Sequence, residues 1–207
     1  MKSSTDLLLI FTRNPELGKC KTRLATKVGD LAALDIYNFL LEHTVSITQH
    51  LTMDRNVYYS EEIWENDIWQ NNVYGKKIQN GTDLGQRMMN AFVDGFKNGY
   101  QKIVVIGSDM YDLSKVDLEG AFSKLDTHDF VLGPAEDGGY YLLGMKELNV
   151  AVFQNKDWGT PSVLKATLND LTDEKYALLP LRNDVDHYED IQHLEAFQPF
   201  LKHIKDD

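Results

Sequence analysis

Short apolar runs alternate along this chain with longer segments in which apolar side chains recur every three or four positions. The short runs are typical of buried strands and the longer segments of amphipathic helices. Strands are predicted at residues 7–12, 56–60, 102–107 and 176–181, and on both sides of a turn at 136–139. This alternation predicts an α/β fold with a doubly wound, mostly parallel sheet and flanking helices.

Helix start signals agree with the periodicity. A first helical region covers residues 22–50, with an interruption at Gly29. The segment 81–83 starts the next helix, whose core-facing stripe is predicted to be Leu84, Met88, Phe92 and Phe96. No pattern could be assigned to residues 61–80.

Three more helices are predicted from capping residues. Ser114 with Asp117 caps a helix that ends near Thr127. Thr160 and Pro161 supply the N-cap and first position of a helix that runs to about residue 171. A capping box for the terminal helix is predicted from Asp186 and Glu189.

Composition narrows the classes of function. The 207 residues fit one domain, 1–207, and the net charge of −11 argues against nucleic acid or an anionic membrane as partner. The single cysteine, Cys20, excludes a disulfide framework and a cysteine-based zinc cluster, although its basic neighbours could lower its pKa. No apolar run is long enough for a signal peptide or a membrane span, so we expect a cytoplasmic protein without membrane insertion.

A basic loop follows the first strand. Residues 13–23 contain four of the 21 basic residues and one acid, Glu16. Open α/β sheets bind phosphates where such a loop leads into a helix, and cations at a helix N-terminus oppose its dipole unless an anion is bound there. The alternative is a solvated charge run. The predicted phosphate-binding residues of this loop are Arg13, Gly18, Lys19, Thr22 and Arg23.

Acidic residues follow two other strands. Asp109 comes after the strand at 102–107, and Asp137 lies in the 136–139 turn. Carboxylates at the carboxyl edge of a sheet suit Mg²⁺ or Mn²⁺ that also binds a diphosphate. Each residue alone could equally start an ordinary turn. Asp184 and Asp186, in the sequence Asp184-Val185-Asp186, are further metal candidates of lower weight.

Further candidates surround these motifs. Glu136 and Asp137 are the catalytic candidates, Glu136 as a general base or a solvated side chain. The segment 81–87 resembles the lining of a nucleotide pocket, or else a capped helix start with an exposed arginine. Nucleotide contacts are predicted for Gly81, Asp83, Arg87 and Ser108, and substrate contacts for Gly138, Gly139, Tyr140, Trp158 and Thr160.

Five motifs, in order, resemble one known bacterial family. They lie at 10–24, 81–88, 107–113, 133–144 and 158–161, and the most specific reads Gly-Pro-Ala-Glu-Asp-Gly-Gly-Tyr-Tyr. The chain resembles the radical-SAM/selenodomain-associated transferases of class one, small proteins with the glycosyltransferase-A fold of nucleotide-diphospho-sugar transferases. The resemblance implies a nucleotide-binding half built on the first strand and its loop, with Asp109 as the metal-binding acid. This chain has Tyr111 where the family usually has proline, so the loop after Asp109 could be more mobile or shaped for another ligand.

These features lead to a functional hypothesis with two rivals. The leading hypothesis is a metal-dependent glycosyltransferase that moves a sugar from a nucleoside-diphosphate sugar to an unknown acceptor. A nucleotidyltransferase that joins a nucleoside triphosphate to a phosphorylated acceptor needs the same basic loop and carboxylates. A non-catalytic nucleotide-binding domain is the third possibility. The sequence leaves the sugar, base, acceptor and oligomeric state open.

Overall fold

The computed structural model describes residues 4–204, which contain one seven-stranded sheet in the order β3-β2-β1-β4-β6-β5-β7. The strands are β1 (Asp6–Thr12), β2 (Asp54–Tyr59), β3 (Gly75–Ile78), β4 (Lys102–Gly107), β5 (Phe130–Pro134), β6 (Tyr140–Met145) and β7 (Tyr176–Leu178). The ends of the predicted 1–207 domain lie outside the described residues.

The sheet is mostly parallel, as predicted. Strand β1 pairs in parallel with β2 and β4, β2 with β3, and β5 with β7. Only β6, among the described strands, runs antiparallel to its neighbours β4 and β5. Because β6 reverses direction, the turn between β5 and β6 lies at the same edge as the carboxyl ends of β1 and β4.

Helices cover both faces of the sheet. They are α1 (Thr22–Val28), α2 (Asp30–Thr48), α3 (Leu84–Lys97), α4 (Lys115–Lys124), α5 (Val163–Asp170) and α6 (Gln198–Leu201). Apolar side chains of α2 and α4 share a core cluster with Leu8 and Ile10 of β1, and those of α3 pack with Leu7 and Leu9. Successive β1 side chains point to opposite faces, so the prediction of a doubly wound sheet is confirmed.

Several predicted boundaries hold, for identifiable local reasons. The helical region at 22–50 is divided at Gly29, whose φ of 84° closes α1 and opens α2. Ser114 and Asp117 form the predicted capping box of α4. The unassigned segment 61–80 contains the short strand β3.

Two predicted helix starts are wrong. Helix α5 begins at Val163 and not at Pro161, because Thr160 donates its hydroxyl to the carbonyl of Asp157 in a preceding turn. Asp186 does not cap a helix with Glu189. The Asp190 carboxylate accepts the backbone N–H groups of Asp186 and His187 before a single 3₁₀ turn, which leaves the Asp186 carboxylate free for other contacts.

Three smaller predictions also differ from the structure. Leu84 is not a core residue: its side chain is 45% exposed at the first position of α3, whereas Met88 and Phe92 are buried. The strand predicted at 176–181 ends at Leu178, two residues before Pro180, which has no N–H for a ladder. Helix α4 ends at Lys124, three residues before Thr127. No helix within residues 4–204 combines the length and apolarity required to span a bilayer.

Candidate active site

A cleft lies along the carboxyl edge of the sheet. The loop after β1, the residues after β4 and the β5–β6 turn all contribute side chains to it. Asp109 lines both of its two adjoining parts. The predicted meeting of the basic loop with the acidic strand ends is therefore present in the fold.

The first part, which we call the basic compartment, has a volume of about 840 Å³. Its cationic lining residues are Arg13, Lys19, Lys21, Arg23 and Arg87. Thr22 and Ser108, both predicted nucleotide contacts, also line it. Three carboxylates, those of Glu61, Asp109 and Asp186, also line it, so the cations exceed the anions by two, which suits a ligand with phosphate charges.

Lys21 is the central cation of this compartment. Its side chain is only 5% exposed, and its Nζ lies 2.7 Å from Asp109 Oδ2 and 3.9 Å from Asp186 Oδ1. Burial opposes the charged form, but the two carboxylates outweigh it and raise the pKa of Lys21, so the ammonium is retained. The residue also has a left-handed backbone, with φ 48° and ψ 46°, which is uncommon outside glycine. This strained position directs a buried positive charge at the acidic strand ends.

Arg23 pairs with the Asp186 carboxylate from the solvent side. Its Nη1 lies 2.6 Å from Asp186 Oδ2, and 61% of its side chain is exposed. An exposed ion pair contributes little to stability, so Arg23 can exchange Asp186 for a phosphate at small cost. Arg87 is held by the carbonyl of Gly81 and by Gln79, with its Nε 3.1 Å from that carbonyl oxygen.

The second part, which we call the apolar compartment, has a volume of about 250 Å³. Its polar lining includes Asp109, Asp137 and Asp184, and its predicted substrate residues are Gly139, Tyr140, Trp158 and Thr160. Burial, followed by the charge of Asp137, raises the pKa of Asp184. The carboxylates therefore leave negative charge that is only partly compensated.

A hydroxyl network joins the two walls beneath the cleft. Tyr37 of α2 accepts the backbone N–H of Arg13 at 2.9 Å and lies 3.3 Å from both Thr12 Oγ1 and Ser108 Oγ. Burial raises the pKa of Tyr37, so the phenol stays neutral. The network connects the start of the basic loop to the residue that precedes Asp109.

Replacing Tyr37 by phenylalanine should lower the free energy of unfolding by about 1–3 kcal/mol, because buried polar partners lose a hydrogen bond. Urea denaturation measures this change. Tyr176→Phe is the matched control, since its side chain is 37% exposed on the edge strand. Equal stability of the two variants would contradict the structural role of the network.

Some predicted site residues lie outside both linings. These are Gly18, Gly81, Asp83, Glu136 and Gly138. Asp83 caps α3 by accepting the N–H of Gln86, and Glu136 is exposed. Gly138 has φ 87° and lies against Pro161, where a Cβ would come within 2.4 Å of the Pro161 carbonyl oxygen. Gly81, whose carbonyl holds Arg87, supports the cleft from outside its surface together with Asp83 and Gly138.

Other lining residues were not singled out from sequence. They include Lys21, Tyr37 and Gln79. Lys21 was visible as one of four cations in the basic loop. For Tyr37 and Gln79 there was no local signal, because their partners lie on other elements.

Two further expectations can be compared with the structure. Cys20 is buried, and burial raises the pKa of its thiol, contrary to the suggested lowering by basic neighbours. The ring of Tyr111 packs 4.9 Å from that of Phe197 and 5.8 Å from that of Phe39, measured between centroids. Tyr111 is thus held in a hydrophobic cluster behind the loop that follows Asp109.

The carboxylates are compatible with a divalent cation. Within residues 4–204 no group of three or more His, Cys, Asp or Glu side chains is already arranged as a metal site. Mg²⁺ usually needs only one or two protein carboxylates, with water and substrate phosphates as the other ligands. Burial is the main cause of the raised pKa of Asp184, and the charge of Asp137 adds to it; a cation bound nearby would offset the second effect.

Comparisons with known proteins agree with this fold. The family described as uncharacterized proteins conserved in bacteria (DUF2064) matches residues 44–160. A crystal structure from Desulfovibrio desulfuricans, named "putative nucleotide-diphospho-sugar transferase", is 31% identical with a TM-score of 0.81, covering 89% of this chain and 83% of that one. No curated protein sequence matches the chain at a significant level.

More distant structures share the fold only. A cytidylyltransferase from Leptospira borgpetersenii has a TM-score of 0.55 at 16% identity, covering 90% of this chain and 83% of that one. CMP:2-keto-3-deoxy-manno-octonic acid synthetase in complex with CTP has a TM-score of 0.55 at 10% identity, covering 95% and 99% respectively. The fold is therefore that of nucleotide-diphospho-sugar transferases and cytidylyltransferases.

Proposed function

This chain belongs to the bacterial family DUF2064, and we propose that it is a metal-dependent glycosyltransferase that uses a nucleoside-diphosphate sugar. The observation that carries the proposal is the division of the cleft at Asp109. A compartment with five cations lies on one side, and a compartment lined by carboxylates and aromatic rings lies on the other. The 31% identical structure named for nucleotide-diphospho-sugar transfer supports the same donor class.

The basic compartment would hold the diphosphate. Arg13, Lys19 and Arg23 were predicted to do so, and Arg87 was predicted to contact the nucleotide. Lys21 lines the same compartment. Charge-assisted hydrogen bonds from these groups would stabilise the nucleoside diphosphate as negative charge builds on it. Lys21 is the best placed, because it is buried and adjoins Asp109.

Asp109 would hold the divalent cation together with Asp186, because both carboxylates lie next to the Lys21 ammonium, at 2.7 and 3.9 Å. The Asp137 carboxylate then remains free to act as a base. When bound, Mg²⁺ or Mn²⁺ supplies Lewis-acid stabilisation of the diphosphate charge. These carboxylates line the cleft at or beside the junction of the two compartments. In the structure Lys21 pairs with Asp109 and Asp186. If a cation took its place there, the ammonium of Lys21 would be free to contact the phosphates.

The proposed reaction is a single displacement at the sugar. An acceptor oxygen or nitrogen forms a bond to the anomeric carbon, and the bond from that carbon to the phosphate oxygen breaks. The bonding electron pair leaves with the nucleoside diphosphate, and the acceptor proton passes to the Asp137 carboxylate as general base. Asp137 lines the apolar compartment, where the acceptor would approach.

The rival reaction, nucleotidyl transfer to a phosphorylated acceptor, fits less well. Such an acceptor needs cationic groups for its own phosphate. Among the described residues that line the apolar compartment there is no Lys, Arg or His. We further propose that the chain belongs to the radical-SAM/selenodomain-associated subgroup, which the five sequence motifs support.

The test is product analysis after a binding screen. Nucleoside-diphosphate sugars with Mn²⁺ should raise the melting temperature, because a ligand at a hundredfold excess over its dissociation constant stabilises the fold by about 2.7 kcal/mol. Turnover with small alcohols and amines as acceptors should then release nucleoside diphosphate. Pyrophosphate release from a nucleoside triphosphate would overturn the proposal in favour of nucleotidyl transfer. Binding without turnover of any donor would favour a non-catalytic domain.

A further inference from the structure

The two compartments of the cleft differ in charge. Three carboxylates, those of Asp109, Asp137 and Asp184, border the apolar compartment, and its described lining contains no cationic side chain. The nearest buried ammonium, on Lys21, is already paired with Asp109 and Asp186. A phosphate or carboxylate group in this compartment would face the like charges of Asp137 and Asp184, neither of which forms an ion pair within residues 4–204.

The walls of the compartment are largely apolar and aromatic. Phe11, Met88 and Val163 line it, and the rings of Tyr140 and Trp158 meet edge to face with centroids 6.4 Å apart. Aromatic faces pack well against the apolar face of another ring. These walls favour a flat or ring-shaped ligand over a flexible charged chain.

An unpaired hydroxyl is a second, independent indication of a ligand. The Tyr140 hydroxyl is buried, and it has no hydrogen-bond partner within residues 4–204. Burial raises the pKa of this phenol, so it stays neutral and can donate a hydrogen bond. Buried polar groups in proteins are nearly always paired, and Tyr140 is one of the residues that line the compartment.

The volume limits the size of the bound group. The compartment measures about 250 Å³. An apolar cavity of about 150 Å³ is enough for benzene. One six-membered ring with its substituents therefore fits, whereas two linked rings would extend beyond it.

We propose that the apolar compartment is a subsite for one uncharged ring that carries hydroxyl or amino donors. One face of the ring packs on Tyr140 and Trp158, and its donors point to Asp137 and Asp184. The subsite rejects rings that carry a carboxylate or phosphate. This inference rests on the proposed function, and the ring is either the sugar of the donor or the acceptor.

A matched pair of donors tests the charge selection. Nucleoside-diphospho-glucose carries a hydroxymethyl group where nucleoside-diphospho-glucuronate carries a carboxylate. The free nucleoside diphosphate is the reference ligand. Calorimetry with Mn²⁺ should give at least about tenfold tighter binding of the glucose form than of the glucuronate form. Where nucleoside-diphospho-glucose binds more tightly than the free nucleoside diphosphate, equal or tighter binding of the glucuronate form would overturn the inference.

A charge variant tests the location. Thr160 is exposed and lines the compartment, so Thr160→Arg adds a cation there without filling a buried position. The preference for glucose over glucuronate should shrink or reverse in this variant. Thr172→Arg, at an exposed position beyond α5, is the matched control and should keep the wild-type ratio. An unchanged ratio in Thr160→Arg would overturn the location.

Two further arms identify the source of the ring. Tighter binding of nucleoside-diphospho-glucose than of the nucleoside diphosphate assigns the subsite to the donor sugar. If the two bind equally, protein saturated with nucleoside diphosphate is titrated with methyl glucoside and with glucose 6-phosphate. Binding of the glucoside alone assigns the subsite to the acceptor, and binding of the phosphate or of neither overturns the inference. Failure of every nucleoside diphosphate to bind overturns the proposed function itself, which is a separate result.

Discussion

Replacing Lys21 by methionine is expected to weaken nucleoside-diphosphate binding about 100-fold, which corresponds to about 2.7 kcal/mol. The variant keeps most of the side-chain volume and removes the charge. Hydrogen bonds to charged groups contribute about 1.5–3 kcal/mol each. The side chain of Lys21 is only 5% exposed, less than those of Lys19 and Arg23, the other ion-paired cations of the basic compartment. Calorimetry with and without Mn²⁺ measures the loss.

Lys19→Met is the matched control for this prediction. Lys19 also lines the basic compartment, but its side chain is 53% exposed and pairs with Glu16 and Glu61. Solvent screens its charge, so the affinity should fall only about threefold or less. A larger loss for Lys19→Met than for Lys21→Met would show that the exposed part of the loop carries the binding. Urea denaturation of both variants separates binding from folding.

Replacing Asp109 by asparagine is expected to lower turnover about 1,000-fold and to remove the dependence of nucleotide binding on Mn²⁺. Loss of one electrostatic group that acts on the charge of the transition state commonly costs a factor of about 10²–10³. Asp109 borders both compartments and pairs with Lys21 at 2.7 Å, so the variant loses a metal ligand and the partner that positions the lysine.

Asp112→Asn is the control for Asp109→Asn. Asp112 lies three residues further along the same loop, and it is exposed and lines neither compartment. Its turnover and Mn²⁺ dependence should match those of the wild type. Nucleotide affinity that still rises with Mn²⁺ in Asp109→Asn would assign the metal to other residues. Addition of EDTA to the wild type should reproduce the loss seen in the Asp109 variant.

Sequence reasoning succeeded where the signal is local. Ser114 and Asp117 lie three residues apart and form their capping box as predicted. The apolar runs at β1 and β4 belong to buried strands, and their order along the chain predicted a parallel sheet. Side chains directly after these strands had to reach the carboxyl edge, so Asp109 could be proposed for the cleft from sequence.

The errors arose where distant contacts compete with local ones. Asp186 and Glu189 have the spacing of a cap, yet Asp190 takes the backbone N–H groups and Asp186 pairs with Arg23. Thr160 and Pro161 look like a helix start, but the Pro161 backbone packs against Gly138. In each case a competing local hydrogen bond, to Asp190 or to Asp157, acts together with a partner far along the chain, Arg23 or Gly138.

The sequence by itself determined the α/β class, the two faces of the sheet and the strand ends from which charged groups emerge, since these depend on periodicity and chain direction. Only the tertiary structure decided that Lys21 is the buried cation opposite Asp109, because those residues are 88 positions apart and no local pattern relates them. It also decided that the cleft has one cationic and one apolar, anionic part. That division depends on how three loops from separate strands meet at one edge, where the reversed direction of β6 places the Asp137 turn.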